Sequence, residues 1–244
     1  MPRLLSLALL LALLGACERH APPMTAPAEP LMAASAPAPA AAVQRVEGID
    51  LSHYQGADVD LAGALAAGKR FVFIKTTQGA TLADPDYARN MRQARAAGLL
   101  VGGYHFYDAL ATLAAQFRNF TAQLQLLPGD LPPVVDIEQL GRASASSVAT
   151  ELQQFLEMLE RQYGVRPILY SGEAFAAEYL SGFGAYLLWV AEYSAKDSPR
   201  LPKGWVRWTF WQYSQAGQLV GLAGPVDLNR FNGSEAELER LRVK

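Results

Sequence analysis

Cysteine is almost missing from this chain: one residue, Cys17, in 244. No disulfide can form within it, so packing must hold the folded part together, and a chain of this length can bury enough to do so. Histidine is nearly as scarce. His20, His53 and His105 show no metal-ligand spacing, and neither a metal nor a cofactor is expected. An excess of one charge is lacking too. The formal net charge of −2 leaves no basic footprint for nucleic acid. There is no G-x-S-x-G elbow, no phosphate-binding loop, no dinucleotide fingerprint and no internal repeat. The apolar run of residues 4–14 is too short to span a bilayer, and residues 183–191 are shorter still and broken by Gly184.

What is present begins at the N-terminus. Arg3, the apolar run and Gly15-Ala16-Cys17 make a secretory signal. Leu14-Gly15-Ala16-Cys17 also resembles the bacterial lipoprotein signal, in which the Cys is lipidated and becomes the mature N-terminus. A plain signal peptide with a Cys nearby is the alternative; the position of the only Cys favours lipidation. Residues 18–44 are rich in Ala and Pro and read as a linker, extended at about 3.1 Å per residue. The expectation is an exported lipoprotein, monomeric and held to a membrane by its N-terminal lipid. Glu18 rather than Asp after the Cys permits sorting to the periplasmic face of the outer membrane.

Residues 45–244 alternate between strand-like and helix-like runs. Eight strands are expected at 46–52, 71–76, 99–106, 134–138, 167–171, 187–191, 208–213 and 225–229. Five helices fall between the first six, at 59–67, 86–97, 110–126, 146–163 and 173–180. Ser146-Ser147-Val148 opens the fourth with N-cap chemistry, and Gly98 and Gly164 close the second and fourth. This alternation predicts an α/β fold with a parallel sheet. Eight strands predict closure into an irregular, TIM-like β/α barrel with eight strands and five helices, the last three strands joined by loops.

In Leu131-Pro132-Pro133-Val134-Val135-Asp136-Ile137-Glu138 two carboxylates sit two apart on a β-branched strand. Side chains so spaced share one face. Neighbouring carboxyls push their pKa values apart, leaving one protonated and one ionised, which is the equipment for glycosidic bond cleavage. In a β/α barrel the chemistry sits at the C-terminal strand ends. Asp50, in Gly48-Ile49-Asp50-Leu51-Ser52, and Asp227, in Pro225-Val226-Asp227-Leu228-Asn229, should meet there, since first and eighth strands are neighbours. A lone Asp at a strand end is more often a turn or cap residue. Four converging acids favour catalysis. Most aromatics at strand spacing are core; Tyr104 and Tyr193, at strand ends, are the better candidates to stack on sugar rings, and Trp189 is a further candidate substrate contact. Lys75 is either a barrel salt-bridge partner or a substrate contact. Gln212 either hydrogen-bonds a sugar or pairs within the barrel.

The chain resembles the glycoside hydrolase family 25 lysozymes, from about Glu47 to Gly233. The likeness rests on ordered motifs: Gly48-Ile49-Asp50-Leu51-Ser52 with Gln55-Gly56; Phe73-Ile74-Lys75-Thr76 with Gly79; Ala97-Gly98-Leu99 leading to Gly103-Tyr104-His105-Phe106; Val135-Asp136-Ile137-Glu138; Trp211-Gln212-Tyr213; and Val226-Asp227-Leu228-Asn229. The resemblance implies an irregular barrel and an N-acetylmuramidase that cuts the β-1,4 bond between N-acetylmuramic acid and N-acetylglucosamine in peptidoglycan. It implies Glu138 as general acid and Asp136 as the partner that stabilises the reacting N-acetyl group or the cationic sugar, with Asp50 and Asp227 completing the acidic floor. The substrate's own acetamido oxygen would serve as nucleophile. Gln78 departs from the pattern, which usually has Glu there. It is the one support for a non-catalytic, glycan-binding reading; a hydrolase of chitin-like glycans is the other alternative.

Overall fold

Alternation along the strands decides which residues fill the barrel. In β2 (Lys69–Gln78) Phe71 and Phe73 point inward while Val72 and Ile74 point outward towards the helices. In β7 (Leu187–Ala191) Trp189 points inward between Leu188 and Val190. The inward residues form an aromatic plug: Phe73 stacks on Trp189 with ring centroids 4.6 Å apart, and Phe210 meets both Phe71 and Phe73 edge-on at 5.1 Å. Gly48 is opposite Phe71 for a steric reason. A Cβ at that position would lie 2.5 Å from the Phe71 ring.

The computed structural model describes residues 45–56, 58–222 and 224–244. The signal-like segment, Cys17 and the linker lie outside the described residues. The remaining strands are β1 (Val46–Leu51), β3 (Leu82–Ala83), β4 (Leu100–Phe106), β5 (Val134–Asp136), β6 (Ile168–Gly172), β8 (Phe210–Gly217) and β9 (Val226–Phe231). Around the barrel the order is β1-β9-β8-β7-β6-β5-β4-β2, closed by β1 on β2, with β3 appended to β2 as a short hairpin.

The expected α/β barrel is therefore present, with two additions and one change of direction. β3 and a sixth helix are extra. The eighth barrel strand, β9, runs antiparallel to both neighbours, whereas the other pairings around the barrel are parallel. Only eight residues separate β8 from β9, too few for a parallel crossover.

Five helices connect the strands: α1 (Leu61–Ala66), α2 (Tyr87–Ala97), α3 (Leu113–Gln123), α4 (Ala145–Tyr163) and α5 (Glu173–Tyr179). α4 buries Val148, Leu152, Phe155, Leu156 and Leu159, an apolar stripe at helical spacing that seals the barrel wall. Its N-cap is Ser144, two residues before the expected start, and the Ser144 hydroxyl accepts from the Ser147 N–H at 3.1 Å. Gly98 and Gly164 end α2 and α4 with φ of 90° and 66°. The sixth helix, α6 (Glu235–Glu239), begins at a reciprocal Ser234–Glu237 capping box and presses Leu238 against the foot of the plug. No described helix is long and apolar enough to cross a membrane.

Candidate active site

Barrel closure brings one layer of side chains to the end where the parallel strands finish. Asp227 (β9), Asp50 (β1), Lys75 (β2), Tyr104 (β4), Asp136 (β5), Tyr170 (β6) and Trp189 (β7) line one cavity of about 210 Å3, joined by Glu138, which follows β5. The remaining barrel strand, β8, places Gln212 directly behind, within hydrogen-bond reach of Asp50. Asp227 reaches this layer because β9 is antiparallel: it lies near the start of its strand and stands opposite Asp50 in the register. Asp136 pairs across with Tyr170 on β6.

The site holds two carboxyl pairs. On one wall, Asp50 Oδ2 accepts from Gln212 Nε2 at 2.9 Å and Asn229 Nδ2 at 2.7 Å. Burial, then the facing Asp227, pushes Asp50 well above the usual carboxylate range in spite of those donors. Burial also raises Asp227, against a lowering hydrogen bond with Asp50. On the other wall, Asp136 is buried and its Oδ1 has no hydrogen-bond partner. Burial, then Glu138, raises Asp136 well above its ordinary value. Glu138 is also raised by burial, with its hydrogen bond to Asp136 pulling the other way. Two such neighbours do not ionise together, so each pair keeps a proton to higher pH than a free carboxylate would.

Lys75 sits between the pairs. Its ammonium donates to Gln78 Oε1 at 2.8 Å and lies 5.3 Å from the centre of the Phe106 ring. Burial lowers it, opposed by Asp136, Asp84 and Glu138. Gln78 is thus an acceptor for Lys75 and contacts none of the four acids in the hydrogen-bond network.

Gln212 is a relay. Its Oε1 accepts from Tyr170 Oη at 2.9 Å and Tyr193 Oη at 2.6 Å, which fixes the amide so that its Nε2 faces Asp50. Asn229 is held in the same way, its Oδ1 accepting from Trp189 Nε1 at 2.8 Å. Trp189 is 2% exposed, so its face belongs to the plug and its edge to this network. Tyr104 stands in the wall and is raised by burial, then by the nearby carboxylates. Tyr193 is half-exposed at the rim.

Tyr170, Asn229, Tyr54 and Phe106 join the site without a role expected from the sequence. Asn229 had a signal: it lies two residues after Asp227 and shares its strand face. Tyr170 had none, since a Tyr inside a strand reads as core. Tyr54 is 79% exposed on the cavity rim. The turn that carries it is fixed by Asp84 Oδ2, which accepts from the His53 backbone N–H at 2.9 Å and faces His53 Nδ1 at 2.8 Å. Among the described residues no group of three His, Cys, Asp or Glu side chains is placed to hold a metal ion.

An open, water-accessible mouth with two proton-retaining carboxyl pairs and aromatic rim residues can deliver a proton to a bound glycan and stabilise positive charge on it. Residues 49–222 match the family described as Glycosyl hydrolases family 25. The chain is 40% identical over 171 residues to protein YegX of Escherichia coli K12, covering 70% of this chain. It spans 62% of the length of that relative. It is 32% identical over 213 residues to the N,O-diacetylmuramidase of Chalaropsis sp, covering 80% of this chain and 98% of that one. The structure of the bacterial lysozyme from Streptomyces coelicolor superimposes with a TM-score of 0.75 at 32% identity, covering 81% of this chain and 96% of that one. The chain belongs to glycosyl hydrolase family 25.

Proposed function

We propose that the chain is a peptidoglycan hydrolase, an N-acetylmuramidase that cleaves the β-1,4 bond between N-acetylmuramic acid and N-acetylglucosamine. The observation that carries the reading is the Asp136–Glu138 pair, Asp136 buried and Glu138 open to solvent, sharing one cavity with Asp50 and Asp227 in a family 25 barrel. Muramidase and lysozyme relatives that match nearly four-fifths of the chain support the substrate.

The unpartnered Asp136 Oδ1 is an acceptor without a donor. The N–H of the substrate's acetamido group supplies one. With Asp136 so engaged, the proton of the pair resides on Glu138. Glu138 gives that proton to the glycosidic oxygen as the C1–O bond breaks. The acetamido carbonyl oxygen attacks C1, and Asp136 stabilises the positive charge on its nitrogen. Water then adds at C1, returns a proton to Glu138 and releases the acetamido oxygen, with overall retention. Asp50 and Asp227 keep the opposite wall acidic. Lys75, Tyr104, Tyr193 and Trp189 contact or frame the glycan, and Gln212 orients Asp50.

The chain is exported and anchored through a lipid on Cys17, at the periplasmic face of the outer membrane. The order of signal, Cys and Ala/Pro-rich linker supports this, and a mass spectrum of the mature N-terminal peptide tests it. The activity is tested by release of reducing ends from purified peptidoglycan. If wild type and Glu138→Gln release them equally, the assignment is wrong.

A further inference from the structure

The end of the barrel remote from the mouth carries a second concavity. Two adjoining hollows of about 420 and 710 Å3 share Ala185, Leu187, Arg240 and Leu241, and together form a groove under the N-terminal ends of β6, β7 and β8. Five cations line it: Arg166, Arg207, Arg240, Arg242 and Lys244. Two carboxylates, Glu160 and Glu237, stand against them. Their pairings are long and exposed, Arg166 to Glu160 at 3.6 Å and Arg240 to Glu237 at 3.7 Å, and exposed pairs of this kind are weak; Arg242 is held more closely, by Glu239 beside the groove and by the Gly129 carbonyl at 2.8 Å.

The bed of the groove is apolar. Leu187, Leu241 and Val243 line it, and Val206, beside Arg207, is 93% exposed at its edge. A free phosphate would use the charges alone and leave that apolar surface in water. Cations around an apolar bed fit the boundary between headgroup and acyl chain, where long basic side chains reach up to phosphates and aliphatic groups dip below them.

Topology supplies a second argument. β1 starts at Val46 and delivers Asp50 to the mouth. The described chain therefore begins at the foot of the barrel, at Arg45, which stands over the Trp208 ring at 5.6 Å; Trp208 is next in sequence to Arg207. The groove and the start of β1 share one pole, and the four site carboxylates occupy the other.

We infer that this groove seats anionic phospholipid headgroups, so that the domain rests on a membrane by its foot and presents its mouth away from the lipid. The orientation complements the anchoring reading, but the headgroup contact itself requires neither the anchor nor hydrolysis.

The test is co-sedimentation of the chain from Glu18 onward, which carries no lipid and retains the whole closed barrel and its core, with vesicles. Phosphatidylcholine alone is compared with phosphatidylcholine containing one-third phosphatidylglycerol. Binding is expected only to the anionic vesicles and should fall as NaCl rises. The triple variant Arg207→Gln, Arg240→Gln, Lys244→Gln, which spares the Arg242 contact with the Gly129 carbonyl, should bind at least tenfold more weakly, with unchanged thermal unfolding. Arg142→Gln, on the mouth side, should bind as wild type does. Equal binding to both vesicle types overturns the inference. So does a triple variant that binds as wild type, or an Arg142 variant that loses as much as the triple. Hydrolysis is not part of the readout, so loss of the muramidase assignment leaves this result standing, and the reverse holds too.

Discussion

The two ends of the barrel are built to opposite rules. At the mouth, four carboxyls and one Lys line a cavity, and three of the five, Asp50, Lys75 and Asp136, are buried. At the foot, five cations and two carboxylates line a groove whose ion pairs are exposed. Burial makes the mouth a place where protons are held against the ordinary carboxylate range. Exposure makes the foot a place where charge acts only on a surface brought up to it. Between them lies the aromatic plug, which isolates the two. Substitutions should therefore sort cleanly by pole.

The largest expected effect is Glu138→Gln. It should cut the rate of reducing-end release by about a thousandfold or more, the upper range for loss of a general acid, with little change in the unfolding temperature. Leu238→Ala, under the plug, should do the reverse. A cavity there should cost about 2–4 kcal/mol of stability, read by denaturant melts, with kcat at low temperature unchanged. If that variant loses turnover in proportion to stability, the plug does not isolate the poles.

Asp136→Asn should break function and strengthen the fold at once. The Asp136 carboxyl is raised in the folded state, so its stabilising contribution is complete below the unfolded value near 3.8 and is lost as pH rises through the raised value. A permanently neutral amide escapes that loss. Activity should fall about a hundredfold. Stability at pH 7 should rise, because the amide carries no charge to desolvate, and the gain should vanish below pH 4. A thermal scan across pH checks the sign; destabilisation at pH 7 would contradict it. Tyr193→Phe removes one of two donors to Gln212 and should lower kcat a few-fold, leaving KM for short glycans close to wild type. Smallest of all, Arg166→Gln at the foot should leave hydrolysis of soluble glycan fragments unchanged.

Much of this was legible in the sequence because it rests on period and punctuation. The β-branched run before Asp136, the helical stripe of α4 and the closing glycines Gly98 and Gly164 each follow from local physics. Direction was not legible from period: alternation in Val226–Phe231 is the same whichever way the strand runs. The short connection after Gly217 carried that information instead. β3 is two residues long and has no period to read. α6 is one turn and a half, yet its Ser234–Glu237 box was a readable start. At the site, the four acids stand out because carboxylates on apolar strands are costly. The relay through Tyr170, Gln212 and Asn229 depends on which strands become neighbours on closure, and only the folded barrel supplies that.

The measurement closest to the central claim is mass spectrometry of the products released from purified peptidoglycan by the chain from Glu18 onward. The account predicts muropeptides ending in reducing N-acetylmuramic acid from wild type and none from Glu138→Gln. Products ending in N-acetylglucosamine, or the same products from both proteins, would contradict it.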